Sequence, residues 1–308
     1  MQQLNKKLNS KIKIALVVLL MCFMGNSQSQ NEAGPESNKA TQKLYGYAAD
    51  KFLMGELLYQ DKLDNQSTFE KNWIVQQSQS DIELKRYAHI DSGKLQVHDP
   101  RGCTIWYKNK MTGPIMISYC VTAPSSYNEG NDIVPRDINQ FWMANAPGNI
   151  DVYAKGGLFD FTKYNGDFKT YDDIQSYYAS TGGGNANTYN RTTRMRRYPR
   201  KINGQLTDHL GLNSRDDDKE YLIVPNKQHL VQMVAANDIV QYIVDGKIVY
   251  EIKNGDSIDI LNDANKEVSK AVWGTAPWTS YNEGYFGFRM TRTHHTYTDF
   301  KVYQLTKK

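Results

Sequence analysis

The sequence predicts an all-β protein of the jelly-roll kind, two antiparallel sheets packed face to face. Three observations carry that expectation. From Lys43 onward, short apolar or alternating runs are divided by Gly, Pro, Asn and Asp, the pattern of strands joined by turns. Turn signals fall between those runs: Asp91-Ser92-Gly93 precedes one, and Asp245-Gly246 separates two others as a hairpin. Finally, the stretch from Gly284 to Tyr303 turns Phe286, Phe288 and Met290 to one face and Gly287, Arg289 and Thr291 to the other. One face is thus built to pack and the opposite one carries charge, as in a two-sheet sandwich with a polar groove.

The N-terminus precedes that pattern and differs from it. Lysines at Lys6, Lys7, Lys11 and Lys13 lead into an apolar run, Ile14 to Met24, followed by small and polar residues through Gln30. This is the layout of a secretory signal peptide, and the run is too short to span a membrane. Residues 1–30 are therefore read as a leader, 31–43 as a polar linker, and 44–308 as one jelly-roll catalytic domain. The expected location is the periplasm or the medium. Leu19-Leu20-Met21-Cys22 offers a lipid anchor through Cys22 as the alternative, against which Met21 stands where a small residue belongs. Roughly 250 residues remain after the leader, an ordinary size for a single β-sandwich. Of the cysteines left, Cys103 and Cys120 either pair in an oxidising compartment or stay as two buried thiols.

Along the domain, strands are expected at Leu57–Tyr59, Ile82–Lys85, Lys94–Val97, Thr104–Lys108, Ile115–Val121, Gln140–Ala144, Leu222–Val224, Leu230–Ala235, Ile239–Val244 and Tyr285–Met290, with Phe300 and Val302 opening a closing strand. Helical periodicity is scarce, and Thr41–Leu58 and Tyr171–Tyr178 are the two helix candidates. One motif occurs twice: Thr122-Ala123-Pro124 leads to Ser126-Tyr127-Asn128-Glu129-Gly130, and Thr275-Ala276-Pro277 leads to Ser280-Tyr281-Asn282-Glu283-Gly284. Both copies read as turns that need Asn and Gly, or as two loops rimming one cleft.

Gly182 to Tyr198, GGGNANTYNRTTRMRRY, concentrates the chemistry. Strand alternation gives Arg194, Arg196 and Tyr198 one face and Thr193, Met195 and Arg197 the other. Arginine suits a planar carboxylate or a sulfate, because its guanidinium presents parallel donors. A solvated edge strand protected by charge is the plain alternative. The net charge of +4 is mild and permits an acidic partner without demanding one. For an exported protein that partner is an anionic polysaccharide rather than nucleic acid.

A resemblance now enters. Phe69-Glu70-Lys71-Asn72-Trp73, Asp91 to Leu95, Thr104-Ile105-Trp106-Tyr107-Lys108, Asn139 to Trp142, Gly183 to Thr188, Arg194 to Tyr198 and Gly287-Phe288-Arg289 resemble the concanavalin-like jelly-roll proteins of marine and gut Bacteroidota. Within that group the chain is similar to exported proteins of ulvan-degradation loci, including the oligosaccharide dehydratase that acts on uronic-acid ends. The resemblance implies a concanavalin-like β-sandwich and β-elimination on a sulfated, uronic-acid-containing oligosaccharide; a monomer is expected.

Such an elimination removes the proton at C5, beside the carboxylate, and expels a group from C4. The enzyme must offset charge developing on the carboxylate and hold a base near C5. A lyase expels a sugar and a dehydratase expels water. Candidate carboxylate ligands are Arg194, Arg196 and Arg289, with Asn185, Asn187 or Gln140 as amide donors. His294 and His295 are the candidate bases, since imidazole titrates near neutrality, with Tyr189 or Tyr198 as partner. His98 beside Asp99 is a further candidate, whereas His89, His209 and His229 read as structural. Trp106 and Trp142 are either sugar-stacking platforms or core. No cofactor is expected; the acidic stretch Asp216 to Glu220 is a plain polar loop or a structural calcium loop. A hydrolase is disfavoured, because paired carboxylates are absent from the predicted core strands. A lectin-like binding module using the same arginines and aromatics stays open.

Overall fold

The computed structural model describes residues 42–77, 86–125, 134–184, 189–202, 204–212, 219–262 and 264–308. Its strands are β1 Phe52–Asp61, β2 Trp73–Gln77, β3 Tyr87–Asp91, β4 Lys94–Asp99, β5 Cys103–Tyr107, β6 Met111–Thr112, β7 Ile115–Thr122, β8 Ile138–Asn145, β9 Gln175–Gly183 and β10 Thr192–Tyr198. The second half adds β11 Lys201–Ile202, β12 Gln205–Leu206, β13 His209–Leu210, β14 Gln228–Ala236, β15 Ile239–Val244, β16 Lys247–Lys253, β17 Ser257–Leu261, β18 Glu267–Val272, β19 Glu283–Met290 and β20 Thr293–Lys307. Two short helices, α1 Gly46–Lys51 and α2 Gln66–Asn72, complete the set, α2 capped by Asn65, whose side chain accepts from the Thr68 amide.

The first sheet runs β16-β15-β14-β7-β20-β4-β3, with β1 also paired to β20; the second runs β10-β9-β8-β19-β5-β2, with β6 paired to β19. The pairings within both sheets are antiparallel. The jelly-roll expectation holds. Between the sheets lie Leu95, Val97, Tyr119, Val121 and Phe300 from the first, against Ile105, Ala179, Met195 and Phe288 from the second. Phe288 stacks on Tyr297 at 4.2 Å between ring centroids and on Trp73 at 5.1 Å. Each such side chain contributes about 1.5–3 kcal/mol on burial, so this aromatic layer is what clamps the sheets together.

Several local expectations change. Of Thr41–Leu58, the described residues hold helix only in the six-residue α1; Phe52 onward is strand, because β20 offers it a full edge to pair with. Gln42 and Lys43, assigned to the linker, are tied to the first sheet by hydrogen bonds from Tyr303 and Gln232. Tyr171–Tyr178 is not a helix either: Tyr171 ends a short 3-10 turn and Gln175 begins β9. Leu222–Val224 is irregular chain after another such turn, Lys219–Tyr221. Ile82–Lys85 and the tail of the first repeated motif lie outside the described residues. Cys103 and Cys120 are both free. They sit on different sheets, Cys103 facing the core and Cys120 alternating out of it. Among the described residues, no helix is long and apolar enough to cross a membrane.

Candidate functional site

Register brings the charged residues together on the outer face of the second sheet. Arg194 pairs with Ser180, Ser180 with Asn139, Asn139 with Arg289, Arg289 with Thr104, and Thr104 with Gln76. Directly paired residues point to the same side, so these six side chains form one row across six strands. The neighbouring row reads Arg196, Tyr178, Phe141, Gly287, Trp106 and Ile74. Gly287 is required there, because a β-carbon would sit 2.5 Å from the Trp106 ring.

Half of this face is closed. Leu158, Phe159, Tyr164, Tyr171 and Ile174, from the long connection between β8 and β9, pack with Trp106, Phe141, Tyr178 and Tyr198 in a second apolar cluster. Gln76 pins the cover down: its amide donates to the Leu158 carbonyl at 2.8 Å, and its oxygen accepts from Trp106 Nε1 at 2.7 Å and the Tyr171 hydroxyl at 2.9 Å. The cover is anchored at the β2–β5 end and reaches Phe141 on β8, Tyr178 on β9 and Tyr198 on β10, while Arg194 at the β10 edge is half-buried.

At that end Phe168 lies between two guanidinium groups, with Arg196 and Arg289 each 5.4 Å from its ring centroid; Arg196 also lies 5.1 Å from the Tyr178 ring. Arg289 is buried and donates to the carbonyls of Cys103 and Met290. Arg196 donates from Nε to the Asp208 carbonyl at 2.6 Å and pairs with its carboxylate at 3.2 Å. Arg194 is half-buried and donates to the Thr193 carbonyl.

Two groups in this corner were not singled out from sequence. Tyr178 is buried, with the Arg196 guanidinium over its ring. Burial pushes its phenol up to about 12, against the pull of Arg196 and Arg289, while the carboxylates Asp137 and Asp208 push the same way as burial. Asp137 has φ 58°, an uncommon conformation for a residue with a β-carbon. Burial raises its carboxyl, opposed by an ion pair to Arg136 at 2.9 Å and a hydrogen bond from Asn139. The Asn139 carbonyl oxygen is itself buried without a partner among the described residues.

The histidine candidates do not join this corner. His295 pairs with Val97 and faces the core of the sandwich; Nε2 bonds the Arg136 carbonyl at 2.8 Å and Nδ1 the Tyr297 hydroxyl at 2.9 Å. Burial drives its titration down to about 3. His294 lies on the opposite face of the first sheet, paired with His98 and bonded to Gln96; burial, then His98, lower it to about 4. With both ring nitrogens of His295 already bonded within the fold, neither is left for a sugar.

Gln140 points into the core, accepting from Tyr119 and donating to the Ala179 carbonyl. Trp106 and Trp142 are both fully buried, so neither offers a stacking surface. Tyr189 is exposed, whereas Tyr198 does sit in the corner, its ring 6.1 Å from Tyr178 and 6.5 Å from Phe168, buried with its hydroxyl unpaired among the described residues. Asn185 and Asn187 lie outside the described residues. So does most of the acidic stretch from Asp216, whose last member, Glu220, pairs with Lys247. Among the described residues, no three His, Cys, Asp or Glu side chains gather as a metal site would require.

Fold and face together define a jelly-roll protein of galectin-like architecture with a half-covered, arginine-bearing outer sheet. The chain belongs to the family described as a domain of unknown function, DUF6250, whose profile matches residues 97–259. Among solved structures it is similar to a Bacillus subtilis protein of unknown function with a galectin-like fold, at TM-score 0.54 and 17% identity over 83% of this chain and 100% of that one. A laminarinase from Flavobacterium sp. UMI-01 aligns at TM-score 0.44 and 13% identity, over 81% and 100% of the two chains. An endo-beta-1,3-glucanase from Pyrococcus furiosus aligns at 0.41 and 10%, over 83% and 99%. No curated protein matches the sequence.

Proposed function

We propose that this protein is an exported carbon–oxygen lyase that performs β-elimination at the non-reducing-end uronic acid of sulfated, ulvan-type oligosaccharides, expelling water from C4. The observation that carries the reading is the half-sealed row: Arg194, Asn139 and Arg289 lined across the sheet, with Arg196 beside them and a closed end next to Trp106. Arg194 and Arg196 take the sugar carboxylate, and Arg289 adds its charge from beneath. Such preset charge counts most where carboxylate charge builds up during reaction. Asn185 and Asn187 belong to the same β9–β10 connection as candidate amide donors.

Tyr178, with a phenol kept protonated by burial, hands its proton to the departing C4 oxygen. The sealed end favours a chain terminus over a chain running through, and so a dehydratase over a chain-cutting lyase. The test is to incubate the protein with uronic-acid-ended oligosaccharides and follow ultraviolet absorbance of the unsaturated product, then weigh it. Loss of one water at constant chain length is expected. Fragments of shorter chain point to a lyase, and binding with no rise in absorbance points to a binding module.

A further inference from the structure

The elimination reading leaves the C5 proton without a receiver, because His294 and His295 are placed elsewhere. We infer that His209, oriented by Asp208, is the proton acceptor of this site, an inference that rests on the elimination reading. Among the described residues Asp208 meets three partners: His209 Nδ1 lies 2.8 Å from Oδ2, Arg200 Nη2 lies 2.8 Å from Oδ1, and Arg196 lies 3.2 Å from Oδ1. The carboxylate can only accept, so Nδ1 carries the hydrogen and Nε2 presents a lone pair. His209 thereby hangs from the same carboxylate that fixes the clamp residue Arg196.

Its surroundings point the same way. The His209 side chain is 2% exposed, yet Nε2 makes no hydrogen bond among the described residues. A buried acceptor left unmade by the fold is one that a ligand or a water completes. Leu210, next in β13, joins the core between the sheets, so alternation turns His209 away from it. The contrast with His295, whose two ring nitrogens are both engaged, is direct.

In the step, Nε2 takes the proton from C5 and the C5–H electron pair becomes the C4–C5 double bond. The C4–O bond breaks, and the oxygen leaves with its pair and takes the Tyr178 proton, departing as water. One proton then returns from imidazolium to phenolate through solvent, restoring both groups. Asp208 and Arg200 are positioning residues that never touch the sugar.

The experiment compares the full chain with its His209→Gln and His209→Asn variants on a glucuronic-acid-ended disaccharide. The expected result is a kcat lower by about 10²- to 10⁴-fold at a KM near the wild-type value, with exchange of the C5 hydrogen into heavy water lost alongside turnover. A variant that keeps kcat overturns the His209 assignment and leaves the elimination standing. A loss seen mainly in KM overturns it as well, by making His209 a binding residue. A wild type that performs no elimination overturns both readings. If neither variant folds, nitrogen NMR of the wild type decides: the His209 Nε2 resonance must shift when the disaccharide binds, and an unmoved resonance sinks the assignment.

Discussion

Arg196 is where the charge of the site is tied to its scaffold. Its guanidinium covers Tyr178 and Phe168 while Asp208 fixes its orientation. Arg196→Ala removes a carboxylate ligand and unmasks the phenol, so kcat should fall by about 10²- to 10³-fold. The fold should persist, since Arg200 still pairs with Asp208. Lysine at the same position keeps the charge but not the fork, and should restore only part of the rate. Steady-state kinetics beside a thermal melt check this, and full activity in the alanine variant would remove Arg196 from the site. At this scale the arginines were legible in sequence, because alternation alone separates Arg194 and Arg196 from Met195. The groups proposed to carry protons were not. A histidine pair draws attention by its chemistry, but which way each ring faces depends on which strands flank β20, and that is a long-range fact.

The strand β9 shows why elements misled. Tyr171, Ile174 and Tyr178 recur at helical spacing and do meet in one cluster, but a turn followed by a strand brings them there. The helix reading hid Tyr178, whereas period-2 alternation through Gln175–Gly183 would have set Tyr178 and Ser180 on one face. The strand β19 was read correctly because Phe286, Phe288 and Met290 alternate without interruption. Its Gly287 supplies the prediction at this scale: alanine there would force the Trp106 ring to move, and overpacking of this kind costs about 1–3 kcal/mol. Gly287→Ala should lower the urea midpoint at unchanged m-value. A midpoint equal to wild type would mean the ring is not held as described.

Across the whole molecule, the sandwich was legible because strand runs and turn residues agree from Lys94 to Val302. The cover was not. Residues 146–170 carry no strand or helix reading in the sequence, and nothing local says that Tyr171 and Leu158 will bond the Gln76 side chain from 82 to 95 positions away. That cover turns an open sheet face into a dead end, and with it comes the expectation of a chain-terminal uronic acid as ligand. The central claim is that the arginine row recognises a sugar carboxylate. Calorimetric titration with a uronic-acid-ended oligosaccharide, and with the same oligosaccharide after its terminal carboxyl is reduced to an alcohol, tests it most directly. Binding should be measurable for the acid and lost for the alcohol, and equal affinity for the two would contradict the account.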